Sequence, residues 1–260
     1  MASGEEDLKN LASCLQQTLS TIIKERKEAE QFLESVEGSP NYAIMLLLLI
    51  ELDTVDDTIR QSSAITFKNF VKRNWRVVED EPNKISDEDR LKIKKKIVGL
   101  MLSVPLKLQR QLSDAISMIG KEDFPDKWDS LLGELTSQFQ SGNFHVINGV
   151  LRTAHSLFKR YRYEFKSNAL WKEIKFVLDN FAQPLTQLFY VSYFPVGCWC
   201  RCSEHSSGCL WSEDLPRHTV DNSTPKEGVD VGAGVSIQSV NQAAFLIKLL
   251  TNRVNKSTPK

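Results

Sequence analysis

Along the first part of this chain, a small residue is followed three positions later by a large apolar one, and the pattern recurs: Ala29/Phe32, Ala64/Phe67 and Ala115/Met118. The first members of these pairs are 35 and 51 residues apart. Each pair lies within an apolar stripe of three- and four-residue steps, the period of one face of an α-helix. A helix pair recurring at this interval cannot bury its apolar face alone, but stacked copies can. The spacing therefore predicts an all-α fold, a right-handed superhelical solenoid of HEAT-type helical hairpins. No alternating strand pattern persists for more than a few residues.

The hairpins are placed from stripes and end signals. First members fall near 5–20, 40–53, 87–103, 125–140 and 168–189, and second members near 25–36, 56–76, 106–120 and 144–163. Ser39-Pro40 supplies a cap and a first-turn proline, where the missing N–H costs nothing. Ser86 precedes Asp89 at capping-box spacing. Asp123 and Pro125 are expected to open the helix that carries Trp128. The long interval between the second and third pairs holds an extra acidic loop, EDEPNKISDED, residues 79–89. The fourth second member lacks the small-residue signature but keeps the stripe Ile147, Val150, Leu151, Ala154, Phe158 and Tyr161.

Character changes near residue 190. Before it 53 of 189 residues are charged; after it 13 of 71 are, with five of the twelve glycines and four of the five cysteines. Helical period returns only in SVNQAAFLIKLLTNRVNK, residues 239–256. This gives an organisation of 1–24, the first helix of the first repeat; 25–103, repeats to the third; 104–189, further repeats; and 190–260, a divergent tail expected to be poorly structured and to lack stable packing of its own.

Lys+Arg and Asp+Glu are both 33, so no net charge draws the whole chain to nucleic acid or anionic lipid, and any basic patch acts locally. The acidic start MASGEEDLKN lacks a signal-peptide core, and the apolar run AIMLLLLI, residues 43–50, is well short of the ~20 residues that cross a bilayer. The chain reads as intracellular.

Interest centres on FKNFVKRNWR, residues 67–76. On a helix Ala64, Phe67, Val71 and Trp75 share one arc, while Lys68, Lys72 and Arg76 form a stripe beside Asn69 and Arg73. The apolar arc packs; the basic arc is left for solvent or a partner. A second aromatic–basic cluster, FKRYRYEFK (158–166), resembles RNA-stacking surfaces, but Phe158 and Tyr161 continue a core stripe. Cys198, Cys200, Cys202, His205 and Cys209 are possible zinc ligands, yet C-x-C-x-C spacing suits one tetrahedral ion poorly, and no metal site is assigned. His145 and His155 do not share a helix face. No phosphate-cradling loop, nucleophile elbow or H-E-x-x-H occurs, so no catalytic residue and no cofactor are expected, and a binding protein is the default.

The stretches AEQFLESVEGSPNY, ITFKNFVKRNWRVVEDEPNKI, QLSDAISMIGKEDFPDKWDSLL and FQSGNFHVINGVLRTAHSLFKRYRYEFKSN resemble the importin-beta superfamily of nuclear transport receptors, specifically the exportins that return importin-alpha to the cytoplasm. The resemblance covers about residues 5–189. It implies a superhelix of HEAT repeats whose N-terminal second helices bind the GTP form of Ran, with importin-alpha as cargo, shuttling between nucleus and cytoplasm, and no enzymatic chemistry. Residues 25–103 would be the importin N-terminal-type domain. Lys68, Asn69, Lys72, Arg73 and Arg76 become candidates for contact with Ran or another partner. The chain carries roughly four and a half repeats where the family continues for many more, which suggests a truncated form that binds Ran but does not necessarily grip cargo. A generic helical scaffold independent of Ran remains the alternative; nucleic acid and membrane are not expected partners.

Overall fold

A computed structural model describes residues 2–77, 83–165 and 167–193. The expected tail beyond Tyr193, its cysteine cluster, the 239–256 segment and Glu79, Asp80 and Glu81 lie outside these residues. Among the described residues the structure is helical and contains no strand. The helices are α1 (Ala2–Gln17), α2 (Ile23–Val36), α3 (Tyr42–Glu51), α4 (Asp57–Asn74), α5 (Asp87–Ser103), α6 (Leu106–Asp123), α7 (Ser130–Ser137), α8 (Phe144–Phe158) and α9 (Asn168–Tyr193). Short 3₁₀ turns extend α7 to Gln140 and α8 to Arg162.

Short links reverse the chain after each helix, so α3/α4, α5/α6 and α7/α8 are antiparallel hairpins. The second members pack side by side, α4 on α6 and α6 on α8, while the first members α3, α5, α7 and α9 form the other layer. Contacts between α6 and α8 advance together: Gln109 with His145, Ser113 with Thr153, and Gly120 beside Leu157. These two helices are therefore parallel, as stacked repeats require. They approach closely because two glycines allow it. A Cβ on Gly120 would lie 2.6 Å from Leu157 Cδ1, and one on Gly149 2.6 Å from Gln109 Nε2.

The core runs continuously between the layers. The stripe Ile147, Val150, Leu151, Ala154, Phe158 and Tyr161 is buried throughout, and Ala64, Phe67 and Ala115 are fully buried. The first copy of the small/large pair behaves differently: Ala29 is buried, but Phe32 is 46% exposed. Among the described helices α2 packs chiefly on α1 and not side by side with α4, so the arc that carries Phe32 is left uncovered.

Two helix starts differ from expectation. Ser39 and Pro40 stand in a turn before α3. The helix opens at Tyr42 behind Asn41, which takes left-handed backbone at φ 61° and has no side-chain cap bond. The Asn41 backbone N–H instead donates to Asp89 Oδ2 of the next repeat at 3.1 Å. Ser86 caps α5 as expected, its Oγ accepting from Asp89 N–H at 3.1 Å, which leaves the Asp89 side chain free for that inter-repeat bond. Asp123 does not open a helix. It is the last residue of α6, and a cis Phe124–Pro125 link and a turn through buried Trp128 precede α7 at Ser130. Asp123 is retained at the helix end by an ion pair with Lys94 of α5 (2.5 Å), which also donates to the Lys127 carbonyl at 2.8 Å.

Candidate partner-binding face

Each second member buries the arc turned to its hairpin partner and leaves the opposite arc to solvent. On α4 the open arc holds Lys68, half-buried, and Asn69 and Lys72, exposed, with exposed Arg76 just past the helix end. Phe67, Phe70, Val71 and Trp75 are buried. The aromatic–basic alternation of residues 67–76 thus separates into a packed face and a cationic one.

The end of this stripe is held by a polar cluster. Trp75 is 2% exposed, and the Arg90 guanidinium of α5 lies over its ring at 4.7 Å while donating to the Trp75 carbonyl at 2.8 Å. Arg90 also donates to Asn83 Oδ1 at 3.0 Å. This fixes the chain direction where Arg76 leaves α4.

Arg73 has a different position from its neighbours. It is exposed, but its guanidinium pairs with Glu37 at 2.9 Å, joining the end of α4 to the end of α2. Glu37 is only 6% exposed, is also hydrogen-bonded by Asn74, and has Lys84 at 3.9 Å. Burial pushes its carboxyl up, but the Arg73 and Asn74 hydrogen bonds and the Arg73 and Lys84 charges together hold it below the ordinary glutamate value. Among the described residues Lys68, Lys72 and Arg76 have no such ion pair.

The same open arc continues on α6 and α8, with residues that the reading of 67–76 alone did not reach. On α6 it holds Lys107, Arg110, Asp114 and Lys121, all exposed; on α8 it holds Asn148, Arg152 and His155, half-buried, and Lys159 beyond the helix end is exposed. Their signal was present in the sequence: 107, 110 and 114, then 121 two turns further on, and 148, 152, 155 and 159 place polar residues at helical spacing, as 68, 72 and 76 do. The face is strongly basic although the chain has no net charge.

Arg110 and Arg152 belong to one cluster. Gln109 reaches the His145 carbonyl at 3.3 Å and Ser113 Oγ meets Thr153 Oγ1 at 2.9 Å. Arg110 and Asp114, one step toward solvent on α6, therefore flank Arg152, one step toward solvent on α8. Burial and then the neighbouring Arg110 charge lower the Arg152 pKa, against a smaller opposing effect of Asp114. Arg152 Nε is buried without a hydrogen-bond partner, as is Gln111 Oε1.

Other candidates resolve into structure. Phe158 and Tyr161 are fully buried, with Tyr161 OH donating to Glu173 at 2.6 Å; Tyr163 and Phe165 are exposed. The His145 ring lies 2.9 Å from the Val104 carbonyl, tying α8 to the α5–α6 link. Among the described residues no group of three acidic, His or Cys side chains is arranged to hold a metal, and no helix is long and apolar enough to cross a membrane.

Comparison with known proteins shows what the chain is similar to. The importin-beta N-terminal domain family model matches residues 29–103, and the Cse1 family model matches residues 157–193. The chain is 63% identical over 189 residues to Exportin-2 of Danio rerio and 60% identical over the same length to Exportin-2 of Homo sapiens; each match covers 73% of this chain and 19% of the relative. The chain thus spans about a fifth of the length of these relatives. A solved structure described as the exportin Cse1 in its cargo-free, cytoplasmic state superposes with a TM-score of 0.65 at 38% identity, covering 71% of this chain and 20% of that one.

Proposed function

We propose that this chain, whose N-terminal 73% is homologous to the exportins of the importin-beta family, binds the GTP form of Ran through the open face of α4 and its neighbours. Within that reading Lys68, Asn69, Lys72 and Arg76 contact the partner, and Arg73 sets the position of α4 through Glu37 while its exposed side is within reach. The observation that carries the proposal is the unpaired basic stripe on α4, inside the segment matched by the importin-beta N-terminal domain. The chain acts as a transport receptor that shuttles between nucleus and cytoplasm and performs no chemistry of its own. Importin-alpha is the cargo that the sequence resemblance implies, and a binding assay with and without Ran tests whether this chain, a fifth the length of its relatives, holds it.

A pull-down of the full chain against Ran loaded with GTP or GDP tests the proposal. The expected result is retention of the GTP form, reduced at least about tenfold by K68E/K72E/R76E, three exposed or half-buried changes that leave the helical spectrum intact. Equal recovery of both nucleotide forms supports instead a helical scaffold that binds its partner without regard to Ran.

A further inference from the structure

The basic face has two parts. The α4 stripe is built of lysines and a terminal arginine on one helix. The α6–α8 part is a junction of two helices, where the register set by the Ser113–Thr153 bond brings Arg110 and Asp114 of α6 into electrostatic range of Arg152 on α8. Among the described residues neither guanidinium makes an ion pair within 4.0 Å. Two like charges side by side repel, and a buried guanidinium N–H without an acceptor costs free energy. Arg152 carries such an N–H at Nε. Only Nε of Arg152 is buried, so its terminal nitrogens and the exposed Arg110 guanidinium are open to an anion from outside.

We propose that Arg110 and Arg152 form a discrete receptor for a carboxylate of an acidic protein segment, at a site separate from the α4 stripe. It rests on the reading of this face as the partner surface. The chemistry of the junction selects the ligand. Planar guanidinium forks bind carboxylates through paired N–H bonds that an ammonium cannot copy. Asp114, an exposed carboxylate in the same cluster, sets the local charge near plus one, which matches a single carboxylate better than a run of phosphates. Nucleic acid would also use stacking rings; Phe158 and Tyr161 are fully buried, and the exposed Tyr163 and Phe165 lie eleven and thirteen residues on from Arg152, past the end of α8 and its 3₁₀ turn.

The two helices are held in register independently of the guanidinium groups. The Ser113–Thr153 bond, the Gln109–His145 contacts and the close approach at Gly149 all lie below the arginine level. The receptor is therefore preformed, and binding does not require the helices to move.

The test uses the full chain and a fluorescently labelled Glu-rich peptide, followed by anisotropy at two salt concentrations. Arg110→Lys/Arg152→Lys keeps the charge and removes the forks; it should weaken binding by about tenfold or more. Lys68→Gln/Lys72→Gln should change it less than about threefold, and Asp114→Asn, at an exposed position, should strengthen it. Circular dichroism and melting temperature check that the Lys variant folds. Unchanged binding in R110K/R152K overturns the proposal, as does an equal loss in the two double variants, which would mean diffuse attraction to the whole face. Tighter binding of a single-stranded RNA oligomer than of the peptide overturns the carboxylate assignment. Failure of Ran-GTP to bind, with Arg-dependent peptide binding intact, would refute the proposed function and leave this site standing; the reverse pattern would refute the site alone.

Discussion

Replacing Lys94 by Met isolates the ion pair that fixes the α5–α6 hairpin. Lys94 Nζ lies 2.5 Å from Asp123 Oδ2 and 2.8 Å from the Lys127 carbonyl, and the side chains are only 10% and 7% exposed. The substitution leaves the buried Asp123 carboxylate without its ion-pair partner, with only the more distant Arg90 charge acting on it, and takes the donor from the Lys127 carbonyl. Breaking a buried pair in this way costs about 3–5 kcal/mol. At roughly 2–4 °C per kcal/mol for a chain of this size, the melting temperature should fall by about 6–20 °C. The double variant K94M/D123L carries no orphaned charge. Exchanging a buried pair for apolar side chains is often neutral or better, so it should lie within about 1 kcal/mol of the parent. Urea melts of the parent, both single variants and the double variant, followed at the helical band, give the coupling directly. A cost for K94M below about 1 kcal/mol would show that water compensates Asp123. Additive costs in the double variant would show that the two side chains act separately, and either result refutes the argument.

Phe67→Ala should cost about 3–5 kcal/mol, since Phe67 is fully buried, whereas Phe32→Ala should stay within about 0.5 kcal/mol; denaturant melts of the two variants measure the contrast. Glu37 has a lowered pKa in the folded chain, so its contribution to stability is present above the ordinary glutamate range and lost as the pH falls through the folded value. In Glu37→Gln, melting temperature plotted against pH should lose that acid-limb dependence while falling overall at neutral pH.

The hairpin order was legible in the sequence because burial imposes the helical period wherever two layers meet. Expected and observed helix starts agree within about three residues for every helix but α7, which starts at Ser130, five residues later than expected. What failed was local. Ser39-Pro40 has the chemistry of a helix start, but Asp89 from the next repeat supplies the acceptor that Asn41 needs, and that contact spans 48 positions. Asp123 looked like an opening residue because Asp caps helices; its partner Lys94 is on another helix and is visible only in three dimensions. Phe32 fits the repeated pair, yet α2 packs chiefly on α1 and not side by side with α4, a departure that the pair's spacing does not reveal. The basic stripe on α4 could be read directly, whereas the role of Arg73 depends on Glu37, 36 residues away. The Arg110–Arg152 junction joins two helices whose register no single-helix reading supplies.

The alternation of chain direction also has an electrical consequence. Because α4, α6 and α8 run the same way, their backbone dipoles add, with the positive ends along one edge of the layer and the negative ends along the other. Lys72 and Arg73 fall in the last turn of α4 and Lys121 in the last turn of α6, where the exposed carbonyls favour cations. Lys107 falls in the first turn of α6 and Arg110 directly follows it, where the free N–H groups add to the positive charge. The basic face is therefore polarised along its length: one edge is partly neutralised by its own backbone, and an arriving anion gains most at the other.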